Sequence, residues 1–422
     1  MAKIYYSLYD RMLNEKGLFQ AFRKVKSNKG KPGIDGQTVA DFAENGAEEI
    51  AQLASELRSK SYRPKPVNRV EIPKGNGGKR LLGIPTVRDR VVQQALLNIL
   101  QPIFDPEFHP SSYGYRPGRS PQQAVAKASL FIRRYQLQWV ADMDLSRCFD
   151  TLNHDHILKS IRRKIADGSI LNLVRMFLQS GVMIGERWQA SEDGSPQGGV
   201  ISPLIANIYL DDFDQFMKGR GHRIVRFADD ILIFTRSKSA AHNALKVARS
   251  YLEGELLLTV NEQKSHVVHS SKGVKYLDVE IHTGTTRIKR EKVHEFKAKV
   301  RKITRRNSPV NLKKVIADLN PVVRGFAYYF RIANCKTEYQ ALMQWIRRRL
   351  RAKQLKLWKR AKRLHRRLRQ LGYQGEFKFI KMSSWRNAAS PLAHYALPNC
   401  FFKEEGLFEM TAVQTGYLPQ NY

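Results

Sequence analysis

Three aspartates carry the chemistry this chain could perform. Asp229 and Asp230 stand side by side in "RFADDILIFT", residues 226–235, between two runs of β-forming apolar residues. Asp favours turns, so the pair has an ordinary reading as a solvated hairpin tip. The other reading is a divalent-cation site. Mg²⁺ takes oxygen ligands and is usually held by one or two carboxylates together with substrate phosphates. A two-ion nucleotidyl transferase needs a further carboxylate on a neighbouring strand, so that one ion activates the attacking hydroxyl and the other clamps the triphosphate. "WVADMDLSRCFD", residues 139–150, offers Asp144 at a strand end and Asp142 as the local alternative. Alternation with a period of two points both to one face, so spacing does not separate them.

The elements that would hold these residues can be read outward from the pair. The chain opens to about Ser61 with helices and loops, broken at "SNKGKPGIDGQT". "NRVEIPKGNGGKRLLGIPT" then places two strand-like runs around Gly75, Asn76, Gly77 and Gly78, a hairpin signal. "VRDRVVQQALLNILQPIF" has helical spacing of apolar residues and is expected to stop at Pro102. "SPLIANIYLDDFDQFM" reads as a helix with Ser202 as N-cap and Pro203 at its first position. From roughly Thr286 the chain becomes helical and strongly basic.

Taken in order, "IPKGNGGKRLLGIPT", "SSYGYRPGRS", "ADMDLSRCFD", "SPQGGVISPLIANIYLDDFD", "RFADDILIF" and "LTVNEQKS" closely resemble the fingers and palm of group II intron-encoded reverse transcriptases. The later "NPVVRGFAYYF" and "WIRRRLRAKQLKLWKR" are similar to that family's thumb or maturase domain. The resemblance implies an α+β right-hand polymerase, fingers and palm over residues 1–285. An α-helical thumb or maturase domain would follow over 286–372, then a basic nucleic-acid-binding segment over 373–422. It implies Asp144, Asp229 and Asp230 as catalytic metal ligands for two Mg²⁺ ions, with Mn²⁺ able to substitute. Lys74, Arg80, Phe149, Gln197 and Lys264 match the family's dNTP contacts, with Phe149 as the aromatic beneath the incoming sugar. Arg116 matches a contact to the nucleic-acid backbone. Two positions depart from the pattern. Phe227 stands where most of the family has Tyr, and Asp278 in "YLDVEI" replaces a Gly, which puts the backbone there in doubt.

Composition agrees with a nucleic-acid partner. A formal net charge of +35, from 73 Lys+Arg against 38 Asp+Glu, calls for a polyanion, and the basic residues are spread along most of the chain rather than gathered as a membrane anchor. They are densest between Trp345 and Leu371, where Ile346, Leu350, Leu357, Ala361, Leu364, Leu368 and Leu371 give one amphipathic helical stripe. Arg347, Arg348, Arg351, Lys359 and Arg360 crowd the other faces with no acidic residue between them, and are expected to meet phosphates.

Cys148, Cys335 and Cys400 are too scattered for a disulfide framework or a zinc site. No apolar stretch approaches the ~18 residues that span a bilayer. The expected setting is a bacterial, nucleoid-associated cytoplasmic protein with no membrane and no zinc. The zinc-supported endonuclease of many relatives is expected to be missing, as in the family's bacterial class C. Expected partners are a group II intron RNA, target DNA, a primer strand and dNTPs. The rival readings are a domesticated reverse transcriptase in host defence or repair, and a splicing cofactor without polymerase activity.

Overall fold

The computed structural model describes residues 3–73, 79–184, 187–190, 193–195 and 198–419. It divides into two compact units, Met1–His269 and Ser270–Tyr422. The first holds strands β1 (Val67–Pro73), β2 (Lys79–Ile84), β3 (Trp139–Asp144), β4 (Val182–Ile184), β5 (Arg187–Gln189), β6 (Arg223–Phe227), β7 (Asp230–Thr235) and β8 (His266–His269). They form two sheets, ordered β2-β1-β4-β5 and β6-β7-β3-β8, the second antiparallel throughout. Helices Pro121–Arg133, Ser202–Gly219 and Lys238–Gly254 pack against this second sheet. Its alternation is clear in β3: Ala141 and Met143 enter the core, while Asp142 and Asp144 occupy the half-exposed face.

Local signals explain most boundaries. The hairpin of β1 and β2 is antiparallel with Pro73 opposite Lys79, as the glycine-rich turn predicts. Helix Val87–Phe104 is capped by Thr86, whose hydroxyl accepts from Asp89 N, but it continues two residues past Pro102. A proline in the last turn removes only one helical bond, and Asp105 N still bonds back to Gln101 O. Helix Ser202–Gly219 starts one residue earlier than its hydroxyl suggests. Ile201, buried and already near helical dihedrals, takes the cap position with no side-chain cap bond. Far upstream, Tyr5 bridges to Ile165 and Tyr9 N donates to Asp167 Oδ2 at 2.8 Å.

The second unit has a small sheet, β9 (Val274–Tyr276), β10 (Val279–Ile281) and β11 (Thr286–Ile288), ordered β11-β10-β9. Helices Arg290–Ile303, Leu312–Phe330, Lys336–Trp358 and Ala361–Gln370 follow. Compactness thus joins this sheet to the helices, whereas the change in composition, near Thr286, falls inside it at the start of β11. The single amphipathic helix expected over 345–371 is two helices. Lys359, at φ 63°, ends the first, and the stripe rephases, with Leu355 buried and Leu371 exposed.

Candidate active site

The hairpin that carries the acidic pair is tight. Phe227 pairs with Asp230, leaving Ala228 and Asp229 as a two-residue turn, and Ala228 sits at φ 57°. Asp230 lies directly opposite Asp144 on β3. Asp142 is opposite Leu232, about 7 Å further down the strand at 3.4 Å per residue. The fold therefore gathers Asp144, Asp229 and Asp230 at one end of the sheet and leaves Asp142 behind. The end of β3 is fixed by the segment that follows the long helix Lys238–Gly254. Asn261 N donates to Asp144 O at 2.8 Å, Ser146 N to Thr259 O at 2.8 Å, and Asp144 N to Ser265 Oγ at 3.2 Å.

That same segment brings in Lys264, whose Nζ lies 2.9 Å from Asp144 Oδ2. The hydrogen bond to Asp144 holds the Lys264 ammonium above its ordinary pKa. Burial opposes this, and the charges of Asp144, Asp230 and Asp229 add to the upward shift. One cation thus faces all three carboxylates. Among the described residues no group of three or more His, Cys, Asp or Glu is placed to hold an ion by itself. The donors present are hard oxygens at half-exposed strand ends, which suits Mg²⁺ shared with substrate phosphates.

Beneath the turn is a buried polar support that the motifs did not reveal. Arg226 and Asp214 are both fully buried and paired, with Arg226 Nε 2.9 Å from each carboxylate oxygen and Nη2 2.6 Å from Oδ2. Arg226 Nη1 donates to Ala228 O and to Asn207 Oδ1, both at 3.1 Å. Asn207 Nδ2 in turn donates to Gly114 O at 2.8 Å. Burial alone would lower the Arg226 pKa, but the charge and hydrogen bonds of Asp214 outweigh it and hold it up. The chain at 111–114 runs alongside, with Tyr113 N donating to Arg226 O and Arg226 N to Ser111 O, each at 2.9 Å. A Cβ on Gly114 would stand 2.3 Å from Ala228 N, so only glycine permits this approach. One signal pointed here. Alternation in "RIVRF" turns Arg226 inward with Ile224, and an inward arginine requires an acid.

The remaining expected residues fall into three groups. Phe149 is buried, its ring edge-on to Tyr115 at 6.0 Å between centroids. Its carbonyl accepts from Ser195 N at 2.7 Å, which docks the start of "SPQGG" beside it. Gly198, at φ 119°, lies so near β2 that a Cβ would meet Gly83 O at 2.3 Å. Lys74 and Gln197 lie outside the described residues, as does the side chain of Arg80.

Arg116 is not presented to a ligand. It is buried, with Nε on Asp105 Oδ1 at 2.8 Å and Nη1 on the carbonyls of His109 and Ser112, both at 3.0 Å. Arg351 is buried too, donating to Leu397 O at 2.8 Å and Asn399 Oδ1 at 2.7 Å, and burial lowers its pKa to about 10. Arg347 pairs with Glu409. Arg348, Lys359 and Arg360 are exposed.

Asp278 settles into its site without glycine. Tyr276 pairs with Val279, and Leu277 and Asp278 between them have φ 42° and 70°. Positive φ at both central residues is the hairpin turn whose twist matches the strands, and Asp tolerates it.

Two carboxylates in register on adjacent strands, a third at the adjoining turn and a hairpin sheet upstream define the fingers and palm of a polymerase fold. Comparison with known proteins makes the class specific. Residues 72–281 match the family described as reverse transcriptase (RNA-dependent DNA polymerase), and 293–372 match the group II intron, maturase-specific domain. Protein YkfC of Escherichia coli (strain K12) is 34% identical, over 62% of this chain and 78% of that protein. The group II intron-encoded protein LtrA of Lactococcus lactis subsp. cremoris is 27% identical, over 78% of this chain and 64% of LtrA. The chain belongs to the group II intron reverse transcriptase and maturase family.

Proposed function

We propose that this chain is an RNA-directed DNA polymerase that copies intron RNA into cDNA and, as a maturase, binds that RNA to assist splicing and mobility. The observation that carries the reading is the pairing of Asp144 with Asp230, with Asp229 at the adjoining turn. Asp144, Asp229 and Asp230 would hold two divalent ions. Such ions, when bound, supply Lewis-acid stabilisation at the attacking and leaving oxygens of an in-line displacement. Lys264 neutralises Asp144 in the ligand-free protein and is within reach of an anionic triphosphate. Phe149 underlies the sugar, and Lys74, Arg80 and Gln197 would orient the nucleotide. Among the basic residues of the helical unit, Arg348, Lys359 and Arg360 are exposed and suited to phosphate contact, whereas Arg116 and Arg351 are struts. Target DNA and a primer strand complete the proposed partners, in a bacterial cytoplasm.

The test separates chemistry from binding. Asp229→Ala should abolish primer extension on an RNA template with Mg²⁺, because losing an ion ligand removes several kcal/mol of transition-state stabilisation. Intron RNA affinity should persist. An equal loss of RNA affinity at low salt would show that Asp229 is not a metal ligand.

A further inference from the structure

The second unit contains a concentration of positive charge that no acidic side chain among the described residues neutralises. Arg301, Arg305, Arg306, Arg349 and Lys353 come from the end of helix Arg290–Ile303, the loop after it and helix Lys336–Trp358. None of the five makes an ion pair among the described residues, in contrast to Arg347 with its Glu409. Instead Arg301, Arg306, Arg349 and Lys353 lean on carbonyls, a hydroxyl and rings, while the Arg305 side chain is exposed. Lys353 is completely buried, with Nζ 3.2 Å from Arg305 O and 2.8 Å from Ser308 O. Arg349 Nε donates to Thr304 Oγ1 at 2.6 Å, and its Nη2 reaches the carbonyls of Arg301 and Thr304 at 3.4 Å. Arg306 Nε is shut off from solvent without a hydrogen-bond partner.

Aromatic rings brace these guanidiniums. Trp385, from the segment beyond the maturase-type helices, lies 5.2 Å from Arg306 and 4.7 Å from Arg349. Trp345 lies 5.3 Å from Arg349 and 5.7 Å from Arg301. Burial, and then the neighbouring Arg301, holds Arg349 below its ordinary pKa. Arg305, Arg306, Asn307, Ser308, Arg349 and Trp385 together line a pocket.

Desolvated cations without anions are costly, and the cost is recovered when an anion enters. A guanidinium whose plane is fixed by a ring presents a rigid pair of donors that matches two phosphate oxygens. Asn307 and Ser308 add neutral donors for a sugar hydroxyl or a third oxygen. We propose that this pocket binds a backbone phosphodiester of a nucleic-acid strand, gripped by Arg306 and Arg349 against Trp385, with Arg305 at its rim. The inference rests on the reading above that this unit meets RNA, and it gives the segment around Trp385 a specific part in that contact.

The test measures anisotropy of a labelled single-stranded RNA 20-mer with full-length protein across a salt series. Arg305→Gln removes an exposed charge and Arg306→Gln an inner one. Each should weaken binding at low salt about tenfold, as loss of a charge-assisted hydrogen bond does. Each should also lower the slope of log affinity against log salt by about 0.7, the value for one single-strand phosphate. Arg306→Lys keeps the charge without the fork and should recover less than half of the lost affinity on a logarithmic scale. Unchanged affinity and slope in both Gln variants, or full binding by Arg306→Lys, would overturn the assignment. So would Gln variants that lose inorganic phosphate, measured by calorimetry, yet keep RNA. Wild-type protein that binds no RNA would sink the functional reading as well, whereas normal wild-type binding with unaffected variants sinks this proposal alone.

Discussion

The buried pair beneath the acidic turn gives the sharpest prediction. Asp214→Asn leaves Arg226 charged, fully buried and without its carboxylate. Breaking one partner of such a pair costs about 3–5 kcal/mol, because the survivor has no solvent to return to. Replacing both with apolar side chains of similar volume, Arg226→Met with Asp214→Leu, removes that penalty and often restores stability. The double variant still lacks the donor that holds Ala228 O and Asn207 Oδ1. The turn carrying Asp229 then loses the side-chain tether from Arg226 to Ala228 O, and a misplacement of about 1 Å costs on the order of 10²-fold in rate. Stability and activity should therefore part company. Urea melts should show Asp214→Asn strongly destabilised and the double variant near wild type. Single-nucleotide primer extension should show kcat reduced in both, with less change in KM for the nucleotide. A double variant with wild-type kcat would refute the positioning role, and a stable Asp214→Asn would refute the energetics behind it.

Two further outcomes follow from groups nearby. On the proposed placement of Phe149 beneath the incoming sugar, Phe149→Val should raise ribonucleotide incorporation relative to deoxynucleotide, since exclusion by shape sets that choice; unchanged discrimination would place the gate elsewhere. His109 is buried, which lowers its pKa to about 4, and its Nδ1 accepts from Ser111 N. Between the unfolded value of 6.5 and this folded value the unfolded chain binds the extra proton, so stability falls on acidification through that window. The loss is no more than about 3 kcal/mol by pH 4, and His109→Asn should flatten that part of a stability–pH profile measured by urea melts.

Local order was the most legible part of the sequence. The acidic pair, the hairpin of β1 and β2 and the opening helices announce themselves through short-range pattern, whereas spacing left Asp142 and Asp144 open until strand register set Asp144 opposite Asp230. What short-range pattern misses is partnership across elements. Asp214 lies on a helix and Arg226 on a strand, and nothing in "LDDFDQF" says that Asp214 turns inward to an arginine. Asp211 and Asp212 in the same run have other partners, His109 N for the first and Arg163 with Ser160 for the second. The basic helix misled for a related reason. An amphipathic stripe assumes one buried face, but helix Lys336–Trp358 is enclosed more widely from Leu350 to Leu355, so Arg351 and Lys353 enter the core with carbonyl partners. The break at Lys359 has no glycine or proline to mark it.

The order of strands in the palm sheet also sets a timetable for synthesis. β3, which carries Asp144, is flanked by β7 and β8, and both lie later in the chain. Roughly 90 residues separate Asp144 from its partner Asp230, about 5–20 s of translation at 5–20 residues per second. For that interval the strand has two open edges and apolar Val140, Ala141 and Met143 without their sheet, which is a template for pairing with another chain. Helix Pro121–Arg133, already made, packs in the finished unit against β6 and β7, which emerge later than β3. The strand carrying Asp144 is therefore a point at which a nascent chain is exposed to misassembly, and slowing translation between residues 145 and 230 should lower the soluble yield more than an equal delay after residue 270.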